Sequence, residues 1–174
     1  KLEEAVFHYK RALGIAPEFR DAHYNLSFVE LQRGNFENGW YHYTARYGRD
    51  ADAIIPFLQS GIDLKNKRVL IKKEQGLGDE LFFLRFLPRL KSLGAWLAYH
   101  TDVRLIDLIS TLPFIDLVTD DVACLNNVDF VFMVGDLPRL LGVDDIGQIP
   151  LPIFFQIPPE NLASVQNQLS ETGP

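Results

Sequence analysis

A strand that passes directly into a helix through a Gly-x-Gly turn restricts this chain more than any other feature, and it lies between Arg68 and Leu93. Residues 68–73 (Arg-Val-Leu-Ile-Lys-Lys) predict the strand, Glu74-Gln75-Gly76-Leu77-Gly78-Asp79 the turn, and residues 80–93 an apolar helix. Such a hand-over sets backbone N–H groups and a carboxylate at the carboxyl edge of a sheet, where open α/β folds take their ligands. Neither of two nucleotide motifs fits the turn. A dinucleotide fingerprint needs a third glycine where Leu81 stands, and a P-loop needs Gly-Lys-Ser/Thr, which is absent. What remains is Gly-Leu-Gly-Asp with an acid at the helix start. Asp79 suits an N-cap, and it equally suits a base that takes a proton from a hydroxyl.

Downstream, short apolar strands alternate with helices, which predicts a parallel sheet. Strands are expected over 95–100, 116–119 and 129–134, a short helix over 103–112 and a helical turn over 137–141. Residues 150–155 read as extended and 159–171 as a polar-rich helix, after which a further strand is expected to begin. This is one α/β half.

The front of the chain repeats itself. At an offset of 34 residues, Glu3, His8, Tyr9 and Gly14 meet identical residues at Glu37, His42, Tyr43 and Gly48, and Ala5, Val6 and Phe7 meet Gly39, Trp40 and Tyr41. That period matches the tetratricopeptide repeat, a helix-turn-helix unit, and Ala5, Tyr9, Ala12 and Pro17 resemble its small, aromatic, small and proline positions. Leu26, Gly34 and Phe36 fill the next unit's positions. Helices are expected over 2–16, 18–33 and 36–47, one and a half repeats within residues 1–47, followed by a connector over 48–67. Arg46 stands where a small residue is usual, so the array is expected to end there and to seal against the next domain. His8 and His42 read as packing or surface residues, and Glu74 as a partner for Lys72 or Lys73.

Composition narrows the partners. Hydrophobic content of 47% supports a packed core, and a net charge of −6 offers no footprint for nucleic acid. The single cysteine, Cys124, excludes an internal disulfide and fits a reducing compartment, so a cytoplasmic location is expected. No apolar run approaches the roughly 18 residues of a membrane span. Lys1 at the start suggests an excised piece. No Asp-x-Asp motif stands on a strand end, the histidines have no metal-ligand spacing around them, and Asp120-Asp121 and Asp144-Asp145 read as turn residues.

The glycine turn together with Phe83, Arg85-Phe86-Leu87-Pro88, Leu93-Gly94-Ala95 and Gly39-Trp40 resembles a bacterial family. In it, tetratricopeptide repeats precede a two-Rossmann (GT-B) glycosyltransferase-like region related to the family 9 heptosyltransferases. The resemblance implies an all-α repeat front followed by a Rossmann-like α/β half of a GT-B fold over 68–174. It implies Asp79 as the base on an acceptor hydroxyl, with Gly76, Leu77 and Gly78 forming the loop that substrate approaches. Arg85 would turn a cation toward an anionic substrate, and His100 would line the cleft. A nucleotide-sugar donor would be held mostly by a second Rossmann half, so no cofactor is expected here and the stretch alone is expected to be inactive. The repeats would bind a protein, peptide or glycan acceptor. A non-catalytic repeat scaffold is the competing expectation.

Overall fold

The computed structural model describes residues 1–46, 63–74 and 76–156. Three helices make the front: α1 (Leu2–Ile15), α2 (Arg20–Gln32) and α3 (Phe36–Tyr43). α2 packs on both neighbours. Its last turn meets the first turn of α1 through Arg33 and Glu3 at 2.8 Å, while Arg20 at its start donates to the carbonyls beyond α3, Ala45 O at 2.8 Å and Arg46 O at 2.5 Å. Each pair therefore runs antiparallel.

Glycines make this packing and its turns feasible. Gly34 has φ +80°, donates to Leu31 O, and leaves Asn35 to donate to Glu30 O, the Schellman pattern that stops a helix. At Gly39, an added Cβ would lie 2.6 Å from Leu31 Cγ, so α2 and α3 approach as closely as a glycine allows. Glu30, fully buried, ties the layers together by meeting Lys10 of α1 at 3.4 Å, Arg33 at 3.3 Å and Asn35 at 3.0 Å.

The sheet has four parallel strands, β1 (Arg68–Lys72), β2 (Trp96–His100), β3 (Leu117–Thr119) and β4 (Phe130–Met133), in the order β3-β2-β1-β4. Ile71 of the central strand pairs with Tyr99 on one side and Phe132 on the other. The middle three residues of both β1 and β2 are buried, as expected where a parallel sheet is covered on both faces. The chain thus lays strands outward from β1 to β3 and then crosses back to place β4 on the far side of β1. That reversal creates a crevice between the carboxyl ends of β1 and β4, the position where open α/β sheets receive ligands.

The strands arise where the apolar runs predict them, but the helix after β1 does not. It begins earlier, as α4 (Leu77–Phe83), tightens to a 3-10 turn over Leu84–Phe86, and resumes as α5 (Leu87–Ser92). Pro88 accounts for the break: it offers no N–H to Leu84, and its ring would crowd that carbonyl. The next helix opens with a 3-10 turn, Val103–Leu105, under an Asp102 cap, then α6 (Ile106–Ser110). α7 (Leu137–Leu140) follows β4, and among the described residues, residues 151–156 pair with no strand. The connector over 48–62, Tyr47 and the helix expected over 159–171 lie outside the described residues.

One apolar core joins front and sheet. Trp40 and Tyr43 of α3 contact Phe83 of α4, with ring centroids at 6.2 and 6.0 Å, and continue into Ile71, Leu97 and Phe132. Each such aromatic pair contributes about 0.5–1.5 kcal/mol beyond its buried area.

Candidate functional site

Two features meet at the carboxyl edge of the sheet, and they differ in accessibility. On the β2 side of β1 is an open hollow of about 320 Å³, lined by Lys73, Glu74, Gly76, Leu77, Glu80, Asp102 and Arg104. On the β4 side, the crevice at the strand reversal is filled by a side chain from the helical front.

Ion pairs shape the hollow. Asp102 receives Lys73 at 3.2 Å and Arg104 Nε at 2.8 Å, and it caps its own turn by accepting from the Arg104 backbone at 3.1 Å. Arg104 foremost, with Lys73 adding, holds the Asp102 carboxyl well below the usual carboxylate range. Glu80 forms part of the floor. It is buried, accepts from the Thr101 hydroxyl, and has its carboxyl pushed up by that burial, with Thr101 and Lys73 pulling the other way. None of Glu80, Thr101, Asp102 and Arg104 stands out in the sequence. The only signal is that each follows directly on the turn after β1 or the end of β2.

The glycine turn reaches this hollow through Gly76 and Leu77, whereas Gly78, Asp79 and His100 are not among its lining residues. Gly76, in extended conformation, is the N-cap of α4, so Asp79 is not the cap. It sits three residues in, exposed, with Oδ2 accepting from the Gly76 N–H at 3.4 Å, the return half of a capping box. A Cβ at Gly78 would meet nothing within 4 Å, and one at Gly76 would meet only Asp79 Oδ2 at 3.6 Å. Among the described residues no atom therefore demands glycine at 78, where alanine would suit a helix better. His100 ends β2; its carbonyl accepts from Lys73 N at 2.9 Å and its ring is half-buried, with Nδ1 lacking a hydrogen-bond partner among the described residues. Burial first, then Lys73 and Lys72, lowers its pKa. Arg85 is the residue not brought here. Its guanidinium lies over the Phe82 ring at 4.2 Å, donates to Phe82 O at 2.8 Å, and lines a separate groove.

The reversal crevice is closed by Arg46. Its Nε donates to Glu74 Oε2 at 2.8 Å, and its Nη2 reaches both Glu74 Oε1 and Asp136 Oδ1, the latter at 2.6 Å. The Gly135 N–H adds a bond to Glu74 Oε1 at 2.8 Å. Glu74 is thus taken by the helical front and not by Lys72 or Lys73, because only a buried guanidinium satisfies both its oxygens there. The departure from a small residue at 46 was the one clue to this in the sequence.

A second polar pair lies in the front. His23 Nδ1 and His42 Nδ1 are 2.7 Å apart, and His23 Nε2 lies 2.8 Å from Pro17 O. With His23 donating to Pro17, its Nδ1 accepts and His42 donates, an assignment that follows from the network. Among the described residues no group of three or more His, Cys, Asp or Glu is arranged to hold a metal, and no helix is long and apolar enough to cross a membrane.

No protein-family model matches the chain, and no solved structure does. Among curated proteins, the chain is similar to Protein FlbA of Caulobacter vibrioides, 28% identical over 126 residues that cover 48% of this chain and 21% of FlbA. The matched region spans about a fifth of that relative's length.

Proposed function

We propose that this chain is a tetratricopeptide-repeat front joined to the acceptor-side half of a GT-B-like glycosyltransferase, with boundaries near residues 47 and 68. The protein would move a sugar from a nucleotide-sugar to a hydroxyl acceptor. The observation that carries the reading is the exposed Asp79 carboxylate, which accepts from Gly76 where that glycine lines an open hollow at the carboxyl edge of a parallel sheet. In this mechanism Asp79 takes the proton as the acceptor oxygen attacks the anomeric carbon and the nucleoside diphosphate leaves. Gly76, Leu77 and Gly78 let the acceptor approach the backbone. Lys73 and Arg104 supply positive charge to the same hollow, balanced in part by Asp102. His100 reaches the site only through its carbonyl, which accepts from Lys73 N, and Arg85 has no role at this centre.

The test is nucleotide-sugar consumption by the full-length protein, wild type against Asp79→Asn. Removing a general base costs about 10²–10⁴ in rate. Turnover unaffected by the substitution would sink Asp79 as the base. A second reading, a non-catalytic scaffold that binds a protein partner through the helices, is favoured by the capping contact from Asp79 to Gly76, which gives that carboxylate a structural task. Absence of nucleotide-sugar binding by the full-length protein would select it.

A further inference from the structure

A second concavity of about 790 Å³ lies away from the glycine turn and shares no lining residue with the hollow there. It is bounded by Arg85, Pro88 and Arg89 of the helical crossover, by the turn at Pro113 and Phe114 that leads into β3, and by the strap from Pro150 to Gln156. We propose that this strap is an unpaired strand edge that takes an extended acidic–apolar peptide of a partner protein by strand addition, with Arg85 and Arg89 receiving its carboxylates.

Three observations carry this, each independent of the others. From Pro152 on the strap alternates as a strand does: Ile153 and Phe155 pack against the core, while Phe154 is 88% exposed and Pro152 and Gln156 face outward. Leu151, 85% exposed, lies before this alternation begins. Its backbone is open. Among the described residues no hydrogen bond engages the N–H groups of Leu151 or of residues 153–156, and the Pro150 carbonyl receives only a 3.5 Å contact from Arg85. Donors and acceptors repeating at strand spacing are matched by another extended chain and not by a compact small molecule.

The third observation is charge. The chain carries 23 acidic against 17 basic residues, yet the groove is lined by two arginines and by no Asp or Glu among the described residues. Arg85 is held in place by Phe82, and Arg89 is exposed with no ion pair among the described residues. An acidic residue on the incoming strand would answer both. A second copy of this chain would not, because residues 150–156 carry no charge and self-pairing leaves the arginines facing each other's apolar strap.

The experiment measures fluorescence anisotropy of dye-labelled octapeptides with the 174-residue chain. The probes are alternating Leu-Glu, alternating Leu-Lys, and the Leu-Glu peptide N-methylated at every second residue in both registers. Saturable binding of Leu-Glu is expected, with Leu-Lys and at least one methylated register weaker by about tenfold or more. Arg89→Glu, a surface change, is expected to reverse the order of Leu-Glu and Leu-Lys. Methylated peptides that both bind as well as the parent would overturn strand addition. A charge order indifferent to Arg89→Glu would overturn the role of the arginines. No saturable binding, or self-association in sedimentation abolished by Phe154→Ser, would overturn the peptide as occupant.

Discussion

Arg46 and Glu74 form a two-point contact between the helical front and the loop that leads into the glycine turn: Nε donates to Oε2 at 2.8 Å, Nη2 reaches Oε1, and both side chains are buried. Asp136 completes the cluster from the end of β4. One guanidinium thus balances two carboxylates in a crevice that open α/β sheets elsewhere leave to ligands. Removing it takes the guanidinium from both buried carboxylates and, among the described residues, leaves Glu74 only the Gly135 N–H. Arg46→Met is expected to destabilise by about 3–5 kcal/mol, the usual cost of leaving buried charges unpaired, read as a lower urea midpoint. Arg46→Lys keeps the charge but not the fork, and is expected to recover only part of that loss.

Gly135 tests the same cluster from the opposite wall. A Cβ there would lie 2.6 Å from Glu74 Oε1 and 3.0 Å from Arg46 Nε, so the pair must separate to admit a methyl group. Gly135→Ala is expected to cost about 1–3 kcal/mol by overpacking. Since both changes break the same contacts, Gly135→Ala in the Arg46→Met background should cost clearly less than it does alone. Additive losses in a double-mutant cycle would show that Gly135 acts elsewhere.

Burial of His42 against His23 is expected to make the helical front sensitive to acid. Burial first, then His23, lowers the His42 pKa from 6.5 to about 4; Glu30 opposes this, and Lys10 and Arg139 add to it. A depressed folded value means that the unfolded chain binds the proton more readily. The contribution of His42 is therefore intact above pH 6.5 and is lost as pH falls toward 4. With the ring only half-buried, on the order of 1–2 kcal/mol is at stake after screening. Guanidinium denaturation at pH 7 and pH 5 should show the drop, and His42→Gln should flatten it. An unchanged slope in the variant would assign the acid sensitivity to other groups.

The strands were legible because each holds a short apolar stretch between turn signals, but burial did not follow the run. β1 and β2 are covered on both faces, whereas β4, the most continuous stretch, lies at the sheet edge with Val131 54% exposed. The helix after β1 was legible in its existence but not in its course, since period alone does not register that Pro88 removes a hydrogen bond from Leu84. Arg85 followed from this: a motif position on a presumed continuous helix pointed to the glycine turn, whereas the tightened path sends it to the groove beside Pro150. Arg46 was visible only as a break in the repeat pattern. Its partners stand 28 and 90 residues away, and no local window carries that pairing.

Gly78 separates a structural turn from a substrate-binding one. It lies in the first turn of α4, its backbone avoids positive φ, and among the described residues an added Cβ would meet no atom within 4 Å. Folding alone therefore favours alanine, and Gly78→Ala is expected to raise stability by about 0.4–1 kcal/mol through the unfolded chain's lost freedom. If the open space over Gly78 admits an acceptor, the same methyl group occupies the approach to the backbone. Turnover of the full-length protein should then fall while its melting temperature rises. A variant that is more stable and equally active would leave the turn as a helix start and nothing more. Lower stability would contradict the open space itself, whatever the activity.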